Sequence, residues 1–215
     1  DVVDGSGGAD VIDAGAGNDA VAYWGAEQSI DGGAGVNTLT LRSAVDANLA
    51  NADQTAADLV AVSNFQNVNA SALSSGVTIS GSAVANAITG GVGDDTIDGA
   101  GGADVVAAGG GDDHVVLRGT EASLDGGAGS DTLTVAAGAS LTAVDFSVAA
   151  GGGQTTGDSV AVRGFENLDA AALATAIAVT GSYGANVIAT GSGSDVIHGG
   201  GGADVVNSGA GDDSG

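Results

Sequence analysis

The sequence predicts an all-β protein whose short parallel strands stack into a β-roll or β-solenoid. Three observations indicate this class: a glycine-rich period of nine residues, an aliphatic residue at one fixed place in every complete unit, and few large side chains. A unit this short cannot bury an apolar face alone, so such repeats are typical of folds in which successive coils stack.

The composition excludes several classes of protein. The 215 residues include 41 Gly and no Pro, Cys or Met, and only 3% are aromatic. A core must therefore come from Ala, Val, Ile and Leu, and the β-branched members of this set suit narrow strands. The lack of cysteine excludes a disulfide scaffold and a thiolate metal site. No apolar run reaches the roughly 18 residues of a membrane span, so none is predicted.

The charge points to cations as partners. The net charge is -24, from 27 acidic residues against three arginines and no lysine. Only three of the acidic residues are glutamates (Glu27, Glu121 and Glu166), so the rest are aspartates. This preference indicates a short carboxylate needed at fixed backbone positions. Such a field repels nucleic acid and anionic membrane surfaces, and neither is an expected partner.

Three blocks carry the nine-residue repeat: 1–40, 81–134 and 181–215. Clear units are GGVGDDTID (Gly90–Asp98) and GGAGSDTLT (Gly126–Thr134). Six residues rich in glycine form a turn, because glycine permits positive φ. The last three form a strand whose middle side chain, at the eighth place, points inward. Two units of nine make one complete coil. The eighth-place residues are Ile12, Val21, Ile30, Leu39, Ile88, Ile97, Val106, Val115, Leu124, Leu133, Ile188, Ile197 and Val206.

Two intervening β-rich segments, 41–80 and 135–180, separate the blocks. VAVSNFQNVNASAL (Val60–Leu73) matches VAVRGFENLDAAAL (Val160–Leu173), so the chain holds about two copies of a larger module. Both stretches begin with alternating apolar and polar residues, which indicates strand. Two interpretations stay open: these segments continue one solenoid in wider coils, or they interrupt it.

The turns predict metal sites. Each turn brings backbone carbonyls and the aspartate at its sixth place to one edge, where the aspartate meets its counterpart 18 residues away. Carboxylate and carbonyl oxygens are the ligands that Ca²⁺ prefers. The alternative is a glycine-rich solenoid with aspartate turns and no metal.

The units resemble the nonapeptide of the RTX (repeats-in-toxin) family, G-G-x-G-x-D-x-U-x, whose fold is a parallel β-roll with Ca²⁺ between stacked turns. The resemblance implies several calcium ions, with the sixth-place residue as the side-chain ligand. The implied ligands are Asp1, Asp10, Asp19, Asn37, Asn86, Asp95, Asp104, Asp113, Asp131, Asn186, Asp195, Asp204 and Asp213.

Pairs of sixth-place residues one coil apart are expected to differ in how strongly they bind calcium. The best sites pair two aspartates: Asp1 with Asp19, Asp95 with Asp113, Asp113 with Asp131, and Asp195 with Asp213. Weaker sites have an amide member: Asp19 with Asn37, Asn86 with Asp104, and Asn186 with Asp204. Gln28 and Ala122 break the pattern in units that lack the glycines. We expect those turns to be metal-free and to bulge outward, with their glutamates, Glu27 and Glu121, as solvated loop carboxylates. The alternative is that these two glutamates are extra ion ligands.

The mosaic of repeat blocks and intervening segments resembles large bacterial surface-layer proteins and adhesins. This implies a secreted, extracellular structural region that folds on binding calcium and contacts copies of itself or other surface components. The alternative is the calcium-binding secretion and folding region of a secreted hydrolase or toxin. We expect no enzyme activity in these residues, with His114 and His198 as surface histidines. We also expect the chain to be part of a longer protein, with its secretion signal elsewhere.

Overall fold

The computed structural model describes residues 1–148 and 152–215, and within these ranges the backbone forms 23 short strands and no helix. Residues 149–151 of the intervening segment 135–180 lie outside the described part. Accordingly, no helix long and apolar enough to cross a membrane is found in the described ranges. In chain order the strands are β1 (Val2–Val3), β2 (Val11–Asp13), β3 (Ala20–Tyr23), β4 (Ser29–Asp31), β5 (Thr38–Leu41), β6 (Ala47–Asn48), β7 (Ala61–Ser63), β8 (Asn67–Asn69), β9 (Thr78–Ser82), β10 (Ala87–Thr89), β11 (Thr96–Ala100), β12 (Val105–Gly110), β13 (His114–Leu117), β14 (Ser123–Ala128), β15 (Thr132–Val135), β16 (Ala143–Asp145), β17 (Thr155–Thr156), β18 (Ala161–Arg163), β19 (Asn167–Asp169), β20 (Ala178–Thr180), β21 (Val187–Ala189), β22 (Val196–His198) and β23 (Val205–Asn207).

The strands form two long sheets and two short ones. One long sheet has the order β1-β3-β5-β8-β10-β12-β14-β18, and the other has the order β23-β21-β19-β15-β13-β11-β9-β6. The short sheets are β2-β4-β7 and β17-β16-β20-β22. Consecutive strands within a repeat block belong to different sheets, so the chain passes from one side of a solenoid to the other at each turn.

Pairing within the blocks is parallel with a register of 18 residues. Ile97 pairs with Val115, and Val115 pairs with Leu133. This register stacks the eighth-place side chains into ladders that form the core. All of them are buried except Val206, which is 47% exposed on β23, a terminal strand of its sheet. The predicted parallel β-roll is confirmed.

The intervening segments continue the sheets. Each also adds one short segment that runs antiparallel to a neighbouring strand, around Gln54 in the first and around Gln154 in the second, and we call this segment a reversed rung. In the first segment, Gln54 N donates to Val62 O of β7, and Asn48 N of β6 donates to Gln54 O. In the second, Gln154 N donates to Val162 O of β18, and β17 pairs antiparallel with β16. The reversal has a geometric cause: parallel pairing needs a full coil between strands, whereas a chain that turns back at once can only pair antiparallel.

A buried glutamine holds each reversed rung in place. The Gln54 side chain donates to Phe65 O and accepts from Phe65 N, both over 2.8 Å, and Gln154 makes the same pair of bonds to Phe165. Both phenylalanines are buried in the core. The first reversed rung joins β7 to β6, and the second joins β18 to β16. These pairs belong to opposite sides of the solenoid, so each side carries one insertion.

Candidate metal centre

The 18-residue register places the predicted partner residues side by side. Thr96 pairs with His114 and His114 with Thr132, so Asp95, Asp113 and Asp131, each one residue earlier, lie at the same end of adjacent strands. The same register holds for the remaining predicted pairs, at β1 with β3, β3 with β5, β10 with β12, β21 with β23, and Val196 with Ser214. The fold therefore brings together all seven predicted pairs.

In most of the sixth-place aspartates, one carboxylate oxygen accepts a hydrogen bond from the neighbouring coil. Asp95 N donates to Asp113 Oδ1 over 2.7 Å, and Asp113 N donates to Asp131 Oδ1 over 2.9 Å. The equivalent bonds run from Asn86 to Asp104, from Asn186 to Asp204 and from Asp195 to Asp213. The carboxylates thus form ladders along the turn edges, each fixed by a backbone donor one coil away.

The second oxygen of most of these carboxylates has no hydrogen-bond partner within residues 1–148 and 152–215. Buried side-chain oxygens without a hydrogen bond include Oδ2 of Asp10, Asp19, Asp104, Asp113, Asp131 and Asp195. A buried charged oxygen left unpaired is costly, and native proteins satisfy such atoms with a donor or a cation. This set of orphaned oxygens is the observation that fits a metal ion to these turns.

The glycines of the turns bring carbonyl oxygens close to the same edge. Gly127 and Gly129 have φ of +105° and +148° and lie against the carbonyl oxygens of Gly109 and Gly111, one coil back. A Cβ at either position would clash with that carbonyl. A Cβ at Gly99, the first residue of its unit, would lie 2.5 Å from Asp104 Oδ2. Glycine therefore lets the coils and carboxylates approach closely enough for an oxygen-lined site.

The site draws on backbone oxygens as well as side chains. Within residues 1–148 and 152–215, no group of three or more His, Cys, Asp or Glu side chains lies close enough together to hold a metal. Two carboxylates from adjacent coils therefore need carbonyl oxygens to complete a coordination shell. Carbonyl-rich, oxygen-only shells suit Ca²⁺, which takes six to eight such ligands in flexible geometry.

Burial and crowding raise the pKa of two of the buried carboxylates, Asp113 and Asp131. Burial raises the pKa of Asp113 to about 6, with further contributions from the charges of Asp95, Asp94 and Asp112. Burial likewise raises the pKa of Asp131 to about 6, with the charge of Asp113 contributing. A divalent cation between the coils removes this repulsion and favours the ionised form.

The two turns that lack the glycine pattern of the repeat are each closed by a buried glutamate, so the expectation that these glutamates are solvated is wrong. Glu27 and Glu121 are only 4% and 3% exposed. The Glu27 carboxylate accepts hydrogen bonds of 2.8–3.0 Å from the three backbone N–H groups of residues 24–26. Glu121 accepts the equivalent three from residues 118–120. The turn folds around the carboxylate because these donors satisfy its charge without a cation.

Two other side-chain roles at the turns were not predicted from the sequence. At the fifth place, Asp94 accepts from Asp112 N and Asp112 accepts from Ser130 N, both over 2.9 Å, so an outer ladder flanks the inner one. At the ninth place, Asp31 and Asp98 accept from the backbone N–H two residues later and begin the next turn. The signal for the second role is the Asp-Gly pair formed by the ninth residue of one unit and the first residue of the next, as at Asp31 and Asp98, which is a common turn-forming pair.

A family model described as the RTX calcium-binding nonapeptide repeat matches the chain in four copies, over residues 1–22, 80–115, 123–140 and 180–214. These ranges cover just over half of the chain. The chain belongs to the RTX calcium-binding repeat family. It is a calcium-binding structural repeat region of the kind found in secreted proteins. The RTX match leaves out residues 116–122, which include most of the second glutamate-closed turn. No curated protein matches the chain.

The RTX assignment accounts for the orphaned carboxylate oxygens, because calcium is the ligand of this repeat. Of the thirteen predicted ligands, ten are aspartates, and six of these carry a buried oxygen with no protein partner. Asp204 and Asp213 lie near the last strand and are half-buried, and Asp1 is exposed. Which of the thirteen residues bind calcium, and how many ions the chain holds, stay predictions.

Proposed function

We propose that this RTX region is a structural segment of an extracellular bacterial assembly, of the surface-layer or adhesin type, in which calcium stiffens the solenoid. The chain itself carries out no catalysis in this proposal. Its partners are calcium ions together with other copies of the chain or other components of the cell surface.

The observation that supports this proposal is the continuity of the sheets through the intervening segments. The β5 strand of the first block pairs with β8, which pairs in turn with β10 of the second block. The β15 strand pairs with β19, and β19 pairs with β21 of the third block. Hydrogen bonds between coils therefore run along the whole series of blocks, as a segment that resists mechanical force requires.

Folding on export follows from the same geometry. Without calcium, the buried carboxylates of Asp95, Asp113 and Asp131 repel one another across the coils, and a core of small side chains offers little to offset chain entropy. With calcium, the free energy of binding becomes free energy of folding. Such a chain stays unfolded where calcium is scarce and becomes rigid outside the cell.

Single-molecule force spectroscopy tests the structural role. We expect the force that unfolds the chain to be high in millimolar calcium and to fall sharply after chelation, with magnesium failing to restore it. A force that does not depend on calcium would contradict the proposal. The alternative role, assistance to a linked hydrolase or toxin, instead predicts that calcium acts mainly on the refolding yield of the attached catalytic domain.

A further inference from the structure

We propose that Asp131, Gly164 and Glu166 form an additional calcium site at the junction between the second repeat block and the intervening segment that follows it. The inference rests on the proposed binding of calcium to the turn edges. It lies outside the nonapeptide pattern, because Gly164 and Glu166 belong to the intervening segment. No repeat unit assigns a ligand role to either residue.

The first module contains the same junction in an uncharged form. Asn37 takes the place of Asp131, Asn64 that of Gly164, and Gln66 that of Glu166. The amide Nδ2 of Asn37 donates to Asn64 O over 3.0 Å, and Asn37 N donates to Gln66 Oε1 over 2.8 Å. Hydrogen bonds therefore close this junction without an ion.

In the second module, an oxygen replaces the amide nitrogen while the backbone geometry stays the same. A Cβ on Gly32 would lie 3.0 Å from Asn37 Nδ2 and 2.6 Å from Asn64 O. A Cβ on the equivalent Gly126 would lie 2.9 Å from Asp131 Oδ2 and would clash with Gly164 O. The donor that faces a carbonyl in the first module is thus an acceptor in the second.

Two acceptors on opposite sides of one small gap need a cation or a proton between them. Asp131 is fully buried, and its Oδ2 has no hydrogen-bond partner. Gly164 has φ of +73° and Asn64 has φ of +65°, so both residues adopt the left-handed conformation. A carboxylate and a carbonyl oxygen placed in this way repel each other unless a cation joins them.

Glu166 supplies the second charge that a divalent ion requires. Its Oε2 accepts from Asp131 N over 3.0 Å, as Gln66 does from Asn37 in the first module. The nearby cation Arg163 is already paired with Asp125 over 2.8 Å. Two carboxylates and a carbonyl give an oxygen-only set with a charge that matches Ca²⁺.

The decisive experiment counts bound calcium ions per chain by equilibrium dialysis with atomic absorption, at a free calcium concentration that saturates the wild type. Glu166→Gln gives the junction the side chain of the first module at almost the same volume. We expect this variant to bind one ion fewer than the wild type. Gln66→Glu is the matched control, and we expect it to leave the count unchanged because the Asn37 amide still fills the gap.

A converse variant keeps the proposal testable if Glu166→Gln fails to fold. Asn37→Asp combined with Gln66→Glu converts the first junction into a copy of the second, and we expect it to gain one ion. An unchanged count in both Glu166→Gln and the double variant would overturn the junction site while leaving calcium binding intact. A wild-type chain that binds no calcium would instead overturn the proposed function itself.

Discussion

The backbone N–H of Asp113 donates a hydrogen bond of 2.9 Å to Oδ1 of Asp131, its counterpart one coil away. Asp113 in turn accepts from Asp95 N on the other side, over 2.7 Å. The protein thus uses one oxygen of Asp113 to hold the coils in register, while Oδ2 stays buried without a partner. Asp113 therefore belongs to two adjacent candidate sites at once.

Removal of this shared carboxylate is expected to disable both sites. We predict that Asp113→Ala binds two calcium ions fewer than the wild type and needs more calcium to fold. The adjacent Asp112 is exposed and accepts a hydrogen bond from Ser130 N, so Asp112→Ala is the control and should keep the wild-type count. Isothermal titration calorimetry measures both, and equal losses in the two variants would contradict the assignment.

A side chain at the close approach of two coils is expected to destabilise the folded state. Gly129 has φ of +148° and lies against Gly111 O, so Gly129→Ala suffers both backbone strain and a steric clash. We expect a loss of more than about 1 kcal/mol in the free energy of unfolding with calcium present. Gly7 has no neighbouring atom within 4 Å of an added Cβ, so Gly7→Ala should leave stability nearly unchanged in the same denaturant titration.

Lowering the pH should partly replace calcium in stabilising the folded state. The pKa values of Asp113 and Asp131 are raised from 3.8 to about 6, so between these values the folded metal-free form holds protons that the unfolded chain has released. The stability of that form therefore increases as pH falls through this window and decreases as pH rises through about 6. Circular dichroism in chelator should show β structure increasing from pH 7 to pH 4. The double variant Asp113→Asn, Asp131→Asn should lose most of this dependence.

The buried glutamates should contribute to the stability of the fold and not to calcium binding. Glu121→Ala leaves three backbone donors of the turn without a partner, and we expect a loss of about 2–3 kcal/mol in the free energy of unfolding. The number of bound ions should not change, because the carboxylate is already satisfied by the protein. Thermal unfolding and calcium counting separate the two effects, and a lower ion count would show that Glu121 is a ligand.

The coil could be predicted from the sequence because it depends on a short repeating pattern of residues. The spacing of Ile97, Val115 and Leu133 determines both the inward face and the 18-residue register. The pairs of sixth-place residues followed from the same period. The hydrogen bonds along the ladders could not be read from the sequence, because they depend on the relative height of adjacent coils.

The errors and omissions arose where the period fails. Glu27 lies in a unit without the glycine pattern of the repeat and is buried rather than solvated, because the turn folds around its carboxylate. The reversed rungs at Gln54 and Gln154 depend on buried hydrogen bonds to Phe65 and Phe165, eleven residues away, which no short repeat encodes. The matching DQT and GQT stretches at an offset of 100 residues are the one signal that could have indicated them.

Circular dichroism during a calcium titration of chelated protein, with magnesium as the control, tests the central claim most directly. If calcium between the coils is what stabilises a fold with so small an apolar core, the spectrum should change from disordered to β as calcium is added. Magnesium should not reproduce the change. A chain that keeps its full β spectrum at neutral pH in excess chelator would contradict the account.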